Sequence, residues 1–297
     1  MTRRALLAEW SAKWKSAGID DARREAMLLL SHILGKMPLS RLLTRLDETV
    51  DEPDEQIFRN LAHRRANREP LAYLTGQADF AGLVLAVGPG VLVPRADSET
   101  VVEAAVERAL NIWTQRRASD QPDTIRILDT CTGSGAIGIA IACQLRQLSA
   151  PTALHLVDIS ETALTYARRN AAQWCAGIPV TIEQGDLFPF DARRFDLITV
   201  NPPYITETVL PGLMPEVSRH EPASALAGGP DGLEFYRRIL DQAGPYLTSG
   251  GWLLLEHGYD QAEAVAGLIR SNGTWSEPTL RHDLGGNPRV TICRKED

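Results

Sequence analysis

The 297-residue chain is poor in cysteine, has no long apolar run and carries no excess of positive charge. Its four cysteines, Cys131, Cys143, Cys175 and Cys293, are scattered. None forms a C-x-x-C pair or has a histidine at ligand spacing, which excludes a disulfide framework and a zinc site and predicts reduced thiols in the cytoplasm. No apolar stretch approaches the roughly 18 residues of a membrane span. The opening segment MTRRALLAEWSAKWKSAG sets charges between its apolar residues, unlike the continuous core of a signal peptide. A cytoplasmic protein with no membrane partner and no metal is therefore expected. The net charge of −7 argues against a protein that coats nucleic acid. Neither internal repeats nor low-complexity tracts occur.

What is present fits a soluble globular protein, with 44% apolar and 23% charged residues. The length exceeds what one core usually serves, so one large or two unequal domains are expected. Residues 1–75 hold 13 Lys+Arg against 11 Asp+Glu, while the remainder carries −9. A solvated helical surface explains the first balance, and a face for a partner is the alternative. Leu7, Trp10 and Trp14 recur at helical spacing, and DDARREAMLLLSHILG starts on an Asp cap and stops at Gly35. With LSRLLTRL and DEQIFRNLAHRRANRE they predict four or five helices over residues 1–72. Residues 73–96 then alternate at Leu83-Leu85-Val87 and Val91-Val93 about Gly88-Pro89-Gly90, a hairpin signal. From residue 97 to 297, strands alternate with helices, beginning with a helix capped by Asp97, which predicts a doubly wound, mostly parallel α/β sheet.

In ILDTCTGSGAIGIA, a first strand turns into a helix at Gly133 and Gly135, where the backbone turns tightly and a ligand can approach. Asp129, Asp158 in LVDIS and Asp186 in GDLF are expected to end three successive strands. A carboxylate at Asp158 suits the two hydroxyls of a ribose. The run Cys131-Thr132-Gly133-Ser134-Gly135-Ala136 lacks the first glycine of a dinucleotide fingerprint. The acid before the turn suits the ammonium of S-adenosyl-L-methionine, with Asp186 accepting from the adenine amino group. The bland alternative is a tight turn with two capping acids.

The fourth strand, FDLITV, breaks at Asn201-Pro202-Pro203-Tyr204. Neither proline can donate to a ladder. A planar amide or amine nitrogen attacking a methyl sulfonium needs fixed acceptors on its NH2 group, because its lone pair is delocalised. The Asn201 side-chain oxygen and the Pro202 carbonyl, held by Pro203, supply two, and Tyr204 can pack on the planar group. A strand end with a Pro-Pro turn is the alternative.

These segments resemble the HemK/PrmC family of glutamine methyltransferases that act on class I peptide-release factors. The likeness runs through EPLAYLTGQADFAGL, VGPGVLVPRADSE, ILDTCTGSGAIGIAIA, DLITVNPPYI, HEPASALAGGPDGLEFYRRI and LLEHGYDQAEAV. It implies a substrate-docking helical domain, a hairpin linker and a Rossmann-like class I methyltransferase domain. It also implies a glutamine of a Gly-Gly-Gln loop as acceptor, with Asn201, Pro202, Pro203, Tyr204 and Glu221 at the substrate. The implied cofactor set is Asp129, Thr132, Gly133, Gly135, Asp158, Ile159, Asp186, Leu187, Asn201 and Arg95, with Asp97 and Glu99 near it. A monomer is expected. One departure is Cys131, where the family usually has glycine, so that a side chain would crowd the methionine moiety. The run Cys-Thr-Gly-Ser-Gly resembles a sister family that methylates a large-subunit ribosomal protein, whereas PRADSETVVE and GGNPRVTICRK look like the release-factor branch. Methylation of an adenine amine, a cofactor-free binding module and a nicotinamide oxidoreductase are further alternatives. The first wants a base-flipping surface, and the last leaves NPPY without a role.

Overall fold

The computed structural model describes residues 1–119, 121–191 and 193–296. Residues 120, 192 and 297, all within the expected methyltransferase segment, lie outside the described residues. The chain divides into two compact units, Met1–Gln77 with Met214–His220, and Ala78–Leu213 with Glu221–Asp297.

The first unit is helical: α1 (Arg3–Ser16), α2 (Ala22–Ile33), α3 (Leu39–Leu43), α4 (Glu52–Ala66) and α5 (Leu71–Thr75). Trp10 and Trp14 share one face of α1 and are buried with Leu29, Leu30, Leu42 and Phe58. The indole N–H of Trp14 is satisfied by the Ala62 carbonyl at 2.9 Å, as a buried donor requires. Thr2 caps α1, its hydroxyl accepting from the Ala5 N–H. Asp21 stands at the N-cap position of α2 but makes no side-chain cap bond.

The second unit opens with a hairpin, β1 (Gln77–Phe80) and β2 (Leu83–Ala86). Its turn is Ala81-Gly82, not Gly88-Pro89-Gly90 as the sequence suggests. Both turn residues have positive φ, 48° and 78°, the twist that two-residue hairpins favour. Gly88 and Gly90 are needed for close approach instead. A Cβ on Gly88 would lie 2.3 Å from the Tyr166 hydroxyl, and one on Gly90 2.7 Å from Thr162 Cγ2. The Val91-Val93 segment is not a strand.

Then follow α6 (Glu99–Ala118), β3 (Ile125–Thr130), α7 (Ala136–Gln147), β4 (Thr152–Asp158), α8 (Glu161–Trp174), β5 (Val180–Gln184) and β6 (Phe195–Val200). After these come α9 (Pro215–His220), which belongs to the first unit, α10 (Glu234–Gln242), β7 (Leu247–Glu256), α11 (Ala262–Ser271), β8 (Thr279–His282) and β9 (Pro288–Arg294). The seven-stranded sheet has the order β5-β4-β3-β6-β7-β9-β8. Its first five strands are parallel, while β9 runs antiparallel to both β7 and β8. Asp97 does not cap α6. It lies in a 3-10 turn, Ala96–Ser98, and pairs with Arg289 at 3.0 Å.

The central strand β6 is buried on both faces, so it reads as a continuous buried run rather than an alternating one. Chain order reverses between β3 and β6: β4 and β5 lie to one side, β7 to the other. A crevice at the carboxyl ends of the strands at such a reversal is where open α/β sheets take ligands.

Candidate active site

The loop from β3 into α7 is built on left-handed backbone. Cys131, Gly133 and Gly135 have φ of 53°, 57° and 81°. Asp129 stabilises this shape from beneath. Its Oδ2 accepts from the Thr132 hydroxyl at 2.5 Å and the Gly138 N–H at 3.1 Å, and its Oδ1 from the Thr199 hydroxyl at 2.7 Å. Burial pushes this carboxyl up to about 6, and the three hydrogen bonds oppose that shift. Asp129 is thus occupied by protein donors and is absent from the cavity wall. These bonds give Asp129 a part in shaping the loop, beside the contact with the methionine ammonium that the sequence leads one to expect. Gly138 is a further close contact beneath the loop. A Cβ there would fall 2.7 Å from Leu156 Cδ2 and 2.8 Å from Asp129 Cβ, so the helix packs on the strands only with glycine.

A cavity of about 320 Å³ opens over this loop, within the usual range for a small-molecule site. Of the expected residues, Arg95, Thr132, Gly133, Asp158, Ile159, Asp186, Leu187, Asn201 and Pro203 line it together. Asp129, Gly135, Pro202, Tyr204 and Glu221 do not. Asp158 ends β4; its Oδ2 accepts from the Gly133 N–H at 2.8 Å and its Oδ1 from the Ser160 N–H at 2.9 Å. Burial raises its carboxyl above the usual range, and the backbone bonds from Ser160 and Gly133 oppose this. Asp186 lies two residues beyond β5 rather than at its end. It pairs with Arg238 of α10 at 2.7 Å. Arg238, Phe235, Phe80 and Ser98 are wall residues the sequence does not single out, while Pro222, expected beside Glu221 in the loop after NPPY, also lines the wall. Phe235 and Arg238 stand at helical spacing in EFYRRIL, yet nothing in the sequence told which face of α10 meets the site. Carboxylates at Asp158 and Asp186, exposed glycine backbone and apolar walls between them fit an adenosine bearing a charged tail.

Asn201 follows β6 at the cavity edge, its Nδ2 donating to the Ser98 hydroxyl at 3.4 Å. The segment after it is clamped. The Ile205 N–H donates to the Leu226 carbonyl at 2.9 Å, and the Gly228 N–H donates back to the Ile205 carbonyl at 2.8 Å. Gln261 Nε2 holds the Tyr204 carbonyl at 3.0 Å. Gly228 touches this backbone so closely that a Cβ would lie 2.6 Å from Tyr204 Cα. Tyr204 packs against a buried apolar cluster that includes Tyr236, Ile198 and Val200, and burial pushes its phenol up to about 12. It therefore acts as a neutral ring. Glu221 is buried, and its Oε1 accepts from Arg95 Nη2 at 2.5 Å. Glu221 reaches the site through Arg95, which lines the wall.

The PrmC N-terminal domain family matches residues 5–76, and the methyltransferase small domain family matches residues 115–212. A Geobacter sulfurreducens protein named release factor glutamine methyltransferase is 41% identical over 86% of this chain and 84% of its own length. One of the same name from Moorella thermoacetica is 38% identical over the full length of both. Among solved structures, the hMettl16 catalytic domain aligns with a TM-score of 0.54 at 13% identity, covering 83% of this chain and 82% of its own, a likeness of fold alone.

Proposed function

Because this chain belongs to the release factor glutamine methyltransferase family, we propose that Asn201 receives the side-chain amide of a release-factor glutamine beside S-adenosylmethionine held in the cavity. The protein is an S-adenosylmethionine-dependent methyltransferase acting on that glutamine. When bound, the cofactor would supply an electrophilic methyl group on its sulfonium, and its sulfur would keep the electrons of the broken S–CH3 bond and leave as the neutral thioether S-adenosyl-L-homocysteine.

Everything else is asked of the chain's own residues. Asp158 and the Gly133 backbone hold the sugar end, and Asp186, tied to Arg238, sits where an amino group can donate. The wall at Phe235, Ile159 and Leu187 excludes water from the ring. Asn201 Oδ1 and the Pro202 carbonyl each accept one N–H of the glutamine amide. They orient the nitrogen and stabilise the positive charge that builds there as it gains the methyl group. Prior deprotonation is then unnecessary; a proton leaves afterwards.

The observation that carries this reading is the commitment of Asn201 Nδ2 to Ser98, which leaves Oδ1 as the acceptor at the cavity edge. Asn201→Ala is expected to abolish methyl transfer while calorimetry still detects cofactor binding. Near wild-type turnover in that variant would sink the assignment.

The reading extends to the Gly-Gly-Gln loop of class I factors, met in the cytoplasm by a monomeric enzyme without nucleic acid. The net charge of −7 and the release-factor names of the relatives support this over adenine methylation or a ribosomal protein. Peptide mapping of the product, together with sizing of the free enzyme, tests it: a methyl group off that glutamine, or a dimer, would contradict it.

A further inference from the structure

β6 and β7 run parallel with Val200 opposite Leu255, so Asn201, the first residue past β6, stands beside Glu256, the last residue of β7. Glu256 is 2% exposed, and its Oε2 has no hydrogen-bond donor among the described residues. Hydrogen bonding from Ser98 and Asn201 favours the ionised form of its carboxyl. Ser98 is itself buried and accepts from Asn201 Nδ2. Leaving a carboxylate in such a place is costly unless it has a task.

An asparagine amide can turn over, because its oxygen and nitrogen have nearly the same shape. Turned over, Asn201 would aim N–H groups at the N–H groups of the substrate amide. An ionised carboxylate only accepts. Beside it, Ser98 must donate, so the Ser98 lone pairs face Asn201, and Nδ2 must point inward. Oδ1 is then left facing the cavity.

We propose that Glu256 is a positioning residue for methyl transfer: through Ser98 and by direct contact it fixes the Asn201 amide with its oxygen toward the substrate. This rests on Asn201 being the amide acceptor described above. Burial holds the Glu256 carboxyl up to about 7, with hydrogen bonding from Ser98 opposing the shift. Of the charged groups facing it, Arg289 favours the ionised form and Asp97 opposes it; Tyr204 and Tyr236 face it uncharged. Protonation turns the carboxyl into a donor and releases the constraint.

The test is Glu256→Gln, whose amide can donate or accept, with Ser98→Ala as a second variant that removes the relay. For Glu256→Gln, kcat on release factor should fall by up to about 100-fold, the cost of a misplaced catalytic group, with KM and cofactor Kd unchanged. Wild-type kcat should rise with pH through about 7. That inflection should be missing in Glu256→Gln, while Ser98→Ala lowers kcat and leaves the melting temperature near wild type. If Glu256→Gln keeps wild-type kcat and its inflection, or if KM and kcat fail together with thermal stability in both variants, the positioning role is wrong. A wild-type enzyme that leaves the release-factor glutamine unmodified would instead overturn the function assigned above.

Discussion

At the scale of the residue, Cys131 carries a cost that its neighbours avoid. Its φ of 53° lies where a side chain is disfavoured, by roughly 1–2 kcal/mol for a left-handed residue. The sequence marked this position as the one that departs from the family's usual glycine, but a backbone angle is not visible in a residue name. Cys131→Gly should therefore be more stable than Cys131→Ala by about 1 kcal/mol, the reverse of the usual order, in which glycine is the worse by about 0.5–1 kcal/mol. Urea unfolding of the two variants measures this, and an alanine variant at least as stable as the glycine one would contradict it. Asp129 shows a related limit. As an acid near the end of a strand it was legible as part of the site. Its hydrogen-bond partners, Thr199 and the Gly138 N–H, come from a strand 70 residues away and from the next helix, so the bonds that hold it were not legible.

At the scale of the element, the segment HEPASALAGGPDGL serves as a clamp on NPPY. Leu226 and Gly228 pair with Ile205, and Gln261 at the start of α11 holds Tyr204. Gly228 is the contact with no room to spare, since its close neighbours are backbone atoms of Tyr204 and Pro203. Gly228→Ala should push that backbone outward and shift Asn201. A displacement near 1 Å costs transfer on the order of 100-fold. The sheet should still fold, so circular dichroism ought to match wild type while single-turnover transfer collapses; an alanine variant with normal transfer would mean the clamp is slack. Elements were readable where burial left a pattern. The buried β3, β4, β6 and β7 stood out as apolar runs. β8 did not, because all four of its residues are exposed. The hairpin was seen but its turn was misplaced, because Gly88 and Gly90 are glycines for steric reasons that only the facing Tyr166 and Thr162 reveal.

At the scale of the whole molecule, alternating strands and helices made the doubly wound sheet legible, and the helical spacing of the tryptophans did the same for the first unit. The membership of α9 in that first unit was not legible. It depends on Glu216 accepting from Arg65 at 2.9 Å and from Arg68 at 2.6 Å, residues about 150 positions earlier, and such a pairing leaves no periodicity to read. The central claim is that the NPPY site of this molecule methylates a glutamine amide of a release factor. The direct measurement is mass spectrometry of release factor after incubation with the enzyme and S-adenosylmethionine, alongside a release factor whose loop glutamine is replaced by glutamate and a large-subunit ribosomal protein. The account predicts one added methyl group on the glutamine of the first protein and none on the other two, since a site built for an N–H pair rejects its absence by about 10⁴-fold or more. An unmodified release factor, or a methyl group found on the glutamate variant or only on the ribosomal protein, would contradict it.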